Sequence, residues 1–267
     1  MKRLYLVALL GIGAFALAGC RGGGGLGGNP EVTATAVNEG ADLKLTWKSV
    51  EGADGYRVYC DGNKIWEKKD TTYTIEGRSN VCKEVEVSAF AGSDEQKTKI
   101  DLTPESSTIT DLISSDSPTG NSWVELNLTN GKAKSVNQSY VSANKGDAKL
   151  AFFIFYRQPS TTNLYFKDVG ATSVGEGARE VAFTDNISSG NLAPGTGNYR
   201  TDRQVSSGGR YFFWVDQGES SENNGRMDNS DYFGVIKVDN ITGTGPFTAN
   251  LTIYIQNKVA GLRWVKF

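Results

Sequence analysis

The sequence predicts an all-β protein built as two β-sandwich domains in series. Short runs rich in valine, isoleucine, threonine and aromatic residues recur along the chain, each bounded by glycine, proline, asparagine or aspartate. Many alternate apolar and polar residues with period two, as a strand with one buried face does, and no stretch carries a convincing amphipathic helical period. The length beyond residue 29 suits two domains better than one.

The amino terminus precedes the sandwiches. Met1-Lys2-Arg3 is basic, residues 4–17 are apolar and uncharged, and Leu17-Ala18-Gly19-Cys20 follows. A basic start, an apolar middle and small residues at the end make a secretory signal, and the apolar run falls short of the roughly 20 residues of a membrane span. Leu17-Ala18-Gly19-Cys20 resembles the lipobox of bacterial lipoproteins. The resemblance implies removal of residues 1–19, lipidation of Cys20 with palmitate-type chains, and attachment to a membrane of the cell envelope. An ordinary cleaved signal with a chance cysteine is the competing reading. Residues 20–29, Cys-Arg-Gly-Gly-Gly-Gly-Leu-Gly-Gly-Asn, read as a flexible tether. No Lys-Ser/Thr follows the glycines and no strand precedes them, which excludes a phosphate-cradling loop. In a two-membrane bacterium, Arg21 directly after the cysteine resembles lipoproteins passed to the outer membrane, and the body is expected in the periplasm or facing outward.

Composition narrows the function. Without Lys2 and Arg3 the chain keeps 26 basic residues against 30 acidic ones, which leaves no basic footprint for nucleic acid. There is no histidine. That excludes Ser-His-Asp and Cys-His catalysis, His-ligated zinc and His-ligated haem. Of three cysteines, Cys20 is assigned to lipid, leaving Cys60 and Cys82 as an even pair in a compartment that permits disulfides. Unpaired thiols are the alternative.

Residues 30–104 hold about seven strand-like runs: 31–36, 43–47, 55–60, 64–66, 72–75, 85–89 and 97–100. Their number and alternation suit an immunoglobulin-like sandwich. Pro30, Leu45-Thr46-Trp47, Gly55-Tyr56-Arg57-Val58-Tyr59, Thr72-Tyr73-Thr74-Ile75 and Val85-Glu86-Val87-Ser88-Ala89 resemble a fibronectin type III domain, with Trp47, Tyr56 and Val58 in its core. Lys83 stands where that family has its corner tyrosine, so the nearby cysteine is expected to take over the stapling. The resemblance makes the third and sixth strands neighbours and brings Cys60 near Cys82. Strict alternation from Val85 and Val87 points Cys82 outward, so pairing requires a bulge or loop position there. Such domains serve as spacers or protein-binding modules.

Residues 105–121, rich in serine, threonine and aspartate, read as a linker with an apolar patch at 109–113 able to pack as one strand. Residues 122–267 read as a larger sandwich, jelly-roll-like or related. Its strands are expected at 123–128, 149–156, 164–169, 180–183, 210–215, 232–238, 251–255 and 262–267. The continuously apolar runs 150–155 and 211–215 suit central strands covered on both faces, or one face covered by a loop. Asp231 to Val238 together with Gly208 to Phe213 resembles a hairpin of uncharacterised envelope lipoproteins.

Candidate chemistry is sparse. The loop 216–231 is rich in oxygen ligands, and Asp216, Glu219, Glu222, Asp228 and Asp231 are the residues that calcium would use. The order is not an EF-hand, and a solvated hairpin loop is the favoured reading. Trp123, Tyr140, Tyr165, Tyr199, Tyr211 and Trp264 are candidates for stacking on sugar rings, against core packing. Glu125, Asp147, Asp168 and Asp216 are available to a carboxylate hydrolase, which nothing requires. The expectation is a non-catalytic envelope lipoprotein presenting its distal domain to a protein or polymer. A carbohydrate-binding accessory protein is the alternative.

Overall fold

The computed structural model describes residues 25–114, 121–159, 161–170, 178–187, 189–217 and 227–267. The signal, Cys20 and most of the tether lie outside these residues. No helix among the described residues is long and apolar enough to cross a membrane. The fold is nearly all β, two sandwiches formed from four antiparallel sheets.

The first sandwich sets three strands against four. Strands β1 (Val32–Val37), β2 (Asp42–Trp47) and β5 (Thr72–Ile75) form one sheet in the order β1-β2-β5. Strands β3 (Gly55–Cys60), β4 (Asn63–Lys68), β6 (Glu84–Ala91) and β7 (Asp94–Asp101) form the other, in the order β4-β3-β6-β7. This is the immunoglobulin-like arrangement the alternation implied. Leu43, Leu45 and Trp47 face Tyr56, Val58, Val85 and Val87 across the core, and the Trp47 and Tyr56 rings lie 5.5 Å apart. Asp61 and Gly62 connect β3 to β4 with φ of 48° and 80°, the left-handed pair that a two-residue hairpin requires. Cys60 and Cys82 are bonded, with Cα atoms 5.4 Å apart. Cys82 precedes the first residue of β6 and so occupies the loop position that pairing required.

The second sandwich has two five-stranded sheets. One contains β9 (Trp123–Asn127), β10 (Lys132–Val136), β11 (Leu150–Arg157), β12 (Leu164–Asp168) and β14 (Asp202–Val205), ordered β10-β9-β11-β12-β14. The other contains β8 (Glu105–Ile113), β13 (Val181–Phe183), β15 (Arg210–Val215), β16 (Tyr232–Thr242) and β17 (Thr248–Gln256), ordered β13-β15-β16-β17-β8. Consecutive strands mostly stay in one sheet, as in β15-β16-β17, so the architecture is the related sandwich rather than a jelly roll.

Alternation explains the two all-apolar strands. Ala151, Phe153 and Phe155 of β11 face Tyr211, Phe213 and Val215 of β15 in the central core. Phe152 and Ile154 look outward and pack with Trp123, Val136 and Val141, the last from helix α1 (Gln138–Asn144). Phe212 and Trp214 look outward on the opposite side, under Ala193, Tyr199, Met227 and Val265. Both outer faces are therefore covered, one of the two arrangements that the unbroken apolar runs suit.

Three expectations are corrected. Residues 105–113 are not linker but the edge strand β8, paired with β17. Their buried residues, Ile109 and Leu112, are three apart, because a bulge opposite Asn250 inserts one residue and hides the period of two. Asp111 sits there with φ of 55° and donates its N–H to the Asn250 carboxamide. Helix α1 was not foreseen; with one buried side chain, Val141, it shows no amphipathic period, and only the N-cap Asn137, accepting from the Tyr140 N–H, marks its start. Residues 262–267 are not a closing strand but a seam between the sandwiches.

Glu105, at the start of β8, pairs with Lys258 and Lys132 of the second sandwich, at 2.6 and 2.9 Å. The two ammonium groups hold its carboxyl down at about 2. The group is partly exposed and screened, so Glu105→Gln is expected to cost about 1 kcal/mol at pH 7. The folded value lies below the unfolded one, near 4.3, so this stabilisation is present above about pH 4.5 and lost as pH falls toward 2. Urea unfolding of both proteins checks it: by pH 2.5 the difference is expected to shrink to about a quarter.

Candidate functional site

The seam starts from an apolar carboxyl-terminal run after a glycine turn. Gly261, with φ of 75°, reverses the chain beyond β17. Leu262 and Trp264 then enter the core of the first sandwich, with Leu192 and Val259 packed against it. Val265 faces the other way, into the outer layer on β15 and β16. Polar groups fix the register. The Trp264 indole N–H donates to the Ala41 carbonyl at 2.8 Å, and the Arg263 N–H to the Gly40 carbonyl at 2.9 Å. The Gln256 carboxamide donates to the Leu102 and Trp264 carbonyls. Gly77 lies under the tryptophan, where a Cβ would stand 2.1 Å from the Ala41 oxygen and 2.4 Å from the indole nitrogen.

Lys266 completes the clasp. Its ammonium donates to Asp61 Oδ2 at 2.6 Å and to the Val81 carbonyl at 2.9 Å. Asp61 Oδ1 accepts the N–H groups of Lys83 and Glu84. Burial pushes the Asp61 carboxyl up, but Lys266 and the two backbone donors outweigh it and hold it below the ordinary carboxylate range.

Beside this clasp lies a cleft of about 510 Å³. Asn63 comes from the start of β4, the loop before Cys82 contributes Arg78, Ser79 and Asn80, and Asn191 enters from the second sandwich. The disulfide, Ile65 and Leu192 supply apolar surface. Neither sandwich builds this cleft alone. Sequence reasoning missed it, because residues 61–81 and 190–192 meet only through the seam.

The anticipated residues are placed elsewhere. Four of the six aromatic candidates are core: Trp123, Tyr199, Tyr211 and Trp264 are all buried. Tyr140 and Tyr165 stay half-exposed. Among the carboxylates, Glu125 is buried 3.3 Å from Lys134, Asp168 accepts the Val181 N–H, and Asp147 accepts the Lys149 N–H. The backbone N–H of Asp216 donates to the Glu180 carbonyl.

For the calcium loop, Glu219 and Glu222 lie outside the described residues, and no three acids or cysteines converge among the described ones. Asp231 is fully buried, with Oδ1 accepting the Gln217 N–H and Oδ2 the Asp228 N–H. It fastens the two ends of the loop, so its oxygens are committed to backbone donors.

Burial pushes the Asp231 carboxyl up to about 6, against the pull of those donors. Its folded pKa therefore exceeds the unfolded value, near 3.9. Stability from this group is full below about pH 4 and lost as pH rises through 6. Thermal melts from pH 4.5 to 7 are expected to show this falling contribution, and Asp231→Asn to remove it. An unchanged slope in the variant would refute the assignment.

The chain matches no protein-family model and no curated relative.

Proposed function

We propose that this chain is an envelope lipoprotein, anchored through acyl chains on Cys20, whose fused sandwiches act as a non-catalytic binding or structural module for a protein or polymer. The observation that carries the reading is the seam. It joins the two sandwiches into one body and leaves a polar cleft between them, while the buried carboxylates are each tied to a structural partner. The signal-like residues 1–19, the lipobox and the glycine tether support the anchor.

Metabolic labelling with an alkyne palmitate analogue tests the anchor. Label and detergent-phase partitioning are expected for the wild type and absent for Cys20→Ala. Equal partitioning of the variant would overturn the anchoring.

The carbohydrate reading keeps one specific support. Tyr156 and Tyr165 are cross-strand neighbours on the outer face of β11 and β12, with ring centroids 5.9 Å apart, and Gln204 pairs with Tyr165 from β14. Retention on insoluble polysaccharides, with and without calcium, tests this face. Saturable retention lost in Tyr165→Ala would move the carbohydrate reading to first place.

A further inference from the structure

The β4 strand is an edge. It pairs with β3 on one side, and among the described residues no strand pairs with its other side. Asn63 and Ile65 of β4 both line the cleft, with a bulge in the β3–β4 pairing at Ile65, so the open border of the strand adjoins the cleft from Asn63 to Ile65. An unpaired strand edge presents a row of N–H and C=O groups that an extended chain can complete.

The side chains around that edge are those a peptide would meet. Asn63, Asn80 and Asn191 each offer a carboxamide, which donates and accepts as a peptide group does. Arg78 is exposed, and among the described residues its guanidinium makes no hydrogen bond or ion pair. Lys266 spends two donated hydrogen bonds on Asp61 and Val81; an ammonium has three protons. Two cations, Arg78 and Lys266, line the cleft against one carboxylate, Asp61, and the planar guanidinium fork matches a carboxylate. Among the described residues no aromatic ring lines the cleft, so they offer no stacking surface there for a sugar ring. The volume falls within the usual range of small-ligand sites.

We propose that the free edge of β4 and the adjoining cleft bind an extended peptide bearing a carboxylate, paired along β4 with its acid on Arg78. This rests on the binding-module reading and names its ligand class.

Fluorescence anisotropy of a fluorescein-labelled octapeptide tests it, using the full-length protein in detergent. The peptide alternates valine and threonine and ends in two glutamates. Saturable binding is expected, weakened at least tenfold by Arg78→Gln, by Asn80→Ala together with Asn191→Ala, and by replacing the peptide's glutamates with glutamines. Both sets of substitutions lie on the surface of the cleft, and unchanged melting curves would establish that each variant folds. Absence of saturable binding would overturn the proposal, as would binding indifferent to Arg78→Gln. Binding of oligogalacturonate or inorganic phosphate in place of the peptide would also overturn it. Saturable capture of a polymer by the Tyr165 face, with no peptide bound at the cleft, would remove this inference and leave the binding-module reading standing.

Discussion

Replacing Trp264 with alanine is expected to lower the unfolding free energy by about 3–5 kcal/mol, the usual cost of deleting a fully buried large aromatic side chain. The indole is wholly inaccessible, fills space over Gly77 and satisfies the Ala41 carbonyl. Its loss leaves a cavity and an unpaired, part-buried acceptor in the first sandwich. The damage is also expected to separate two events. With the seam loosened, the first sandwich should unfold at lower denaturant than the second, turning a single urea transition into two. Fluorescence and circular dichroism followed in parallel would show this as non-coincident curves. A variant losing less than about 1 kcal/mol, with coincident curves, would mean that the first core is complete without the tail.

Removing the disulfide comes second in size. The bond spans a sequence separation of 22 residues, and such a constraint on the unfolded chain contributes roughly 3 kcal/mol. Cys60→Ala with Cys82→Ala is the clean test, because it leaves no free thiol to react. The expected loss exceeds chain entropy alone, since Asp61 and Lys83 flank the two cysteines and hold the Lys266 clasp. Combining the double variant with Lys266→Ala should therefore give a loss smaller than the sum of the separate losses. Strict additivity would show the clasp and the disulfide to be independent.

Much of the fold was legible because period two survives wherever one face is buried. The resemblance to a fibronectin type III domain implied Trp47, Tyr56 and Val58 in the first core, where they lie. Parity and compartment pointed to Cys60 with Cys82. The unbroken runs around Phe153 and Phe213 suited two covered faces, and both are covered. The failures have local causes. The bulge at Asp111 broke the period of β8, and α1 buries too little to leave one. The terminal run 262–267 alternates, but its two faces serve different domains, a distinction no single-strand pattern encodes. The same is true of the cleft. Arg78, Asn80 and Asn191 carry no motif, and only the fold of the whole chain brings them together. The calcium loop was read from composition alone, and Asp231 shows why that was insufficient: an acid in such a loop also closes it.

Trp264 has a consequence for timing. A polypeptide leaves the ribosome, and crosses a membrane, amino end first. The strands of the first sandwich, complete by residue 101, are available long before the residue that fills their core. The earliest domain made is thus the last one finished. Until residues 262–264 emerge, its apolar interior stays open to solvent where Leu262 and Trp264 will pack. A chain cut short before Leu262 therefore carries a first sandwich whose core lacks two of its side chains, however intact its own strands.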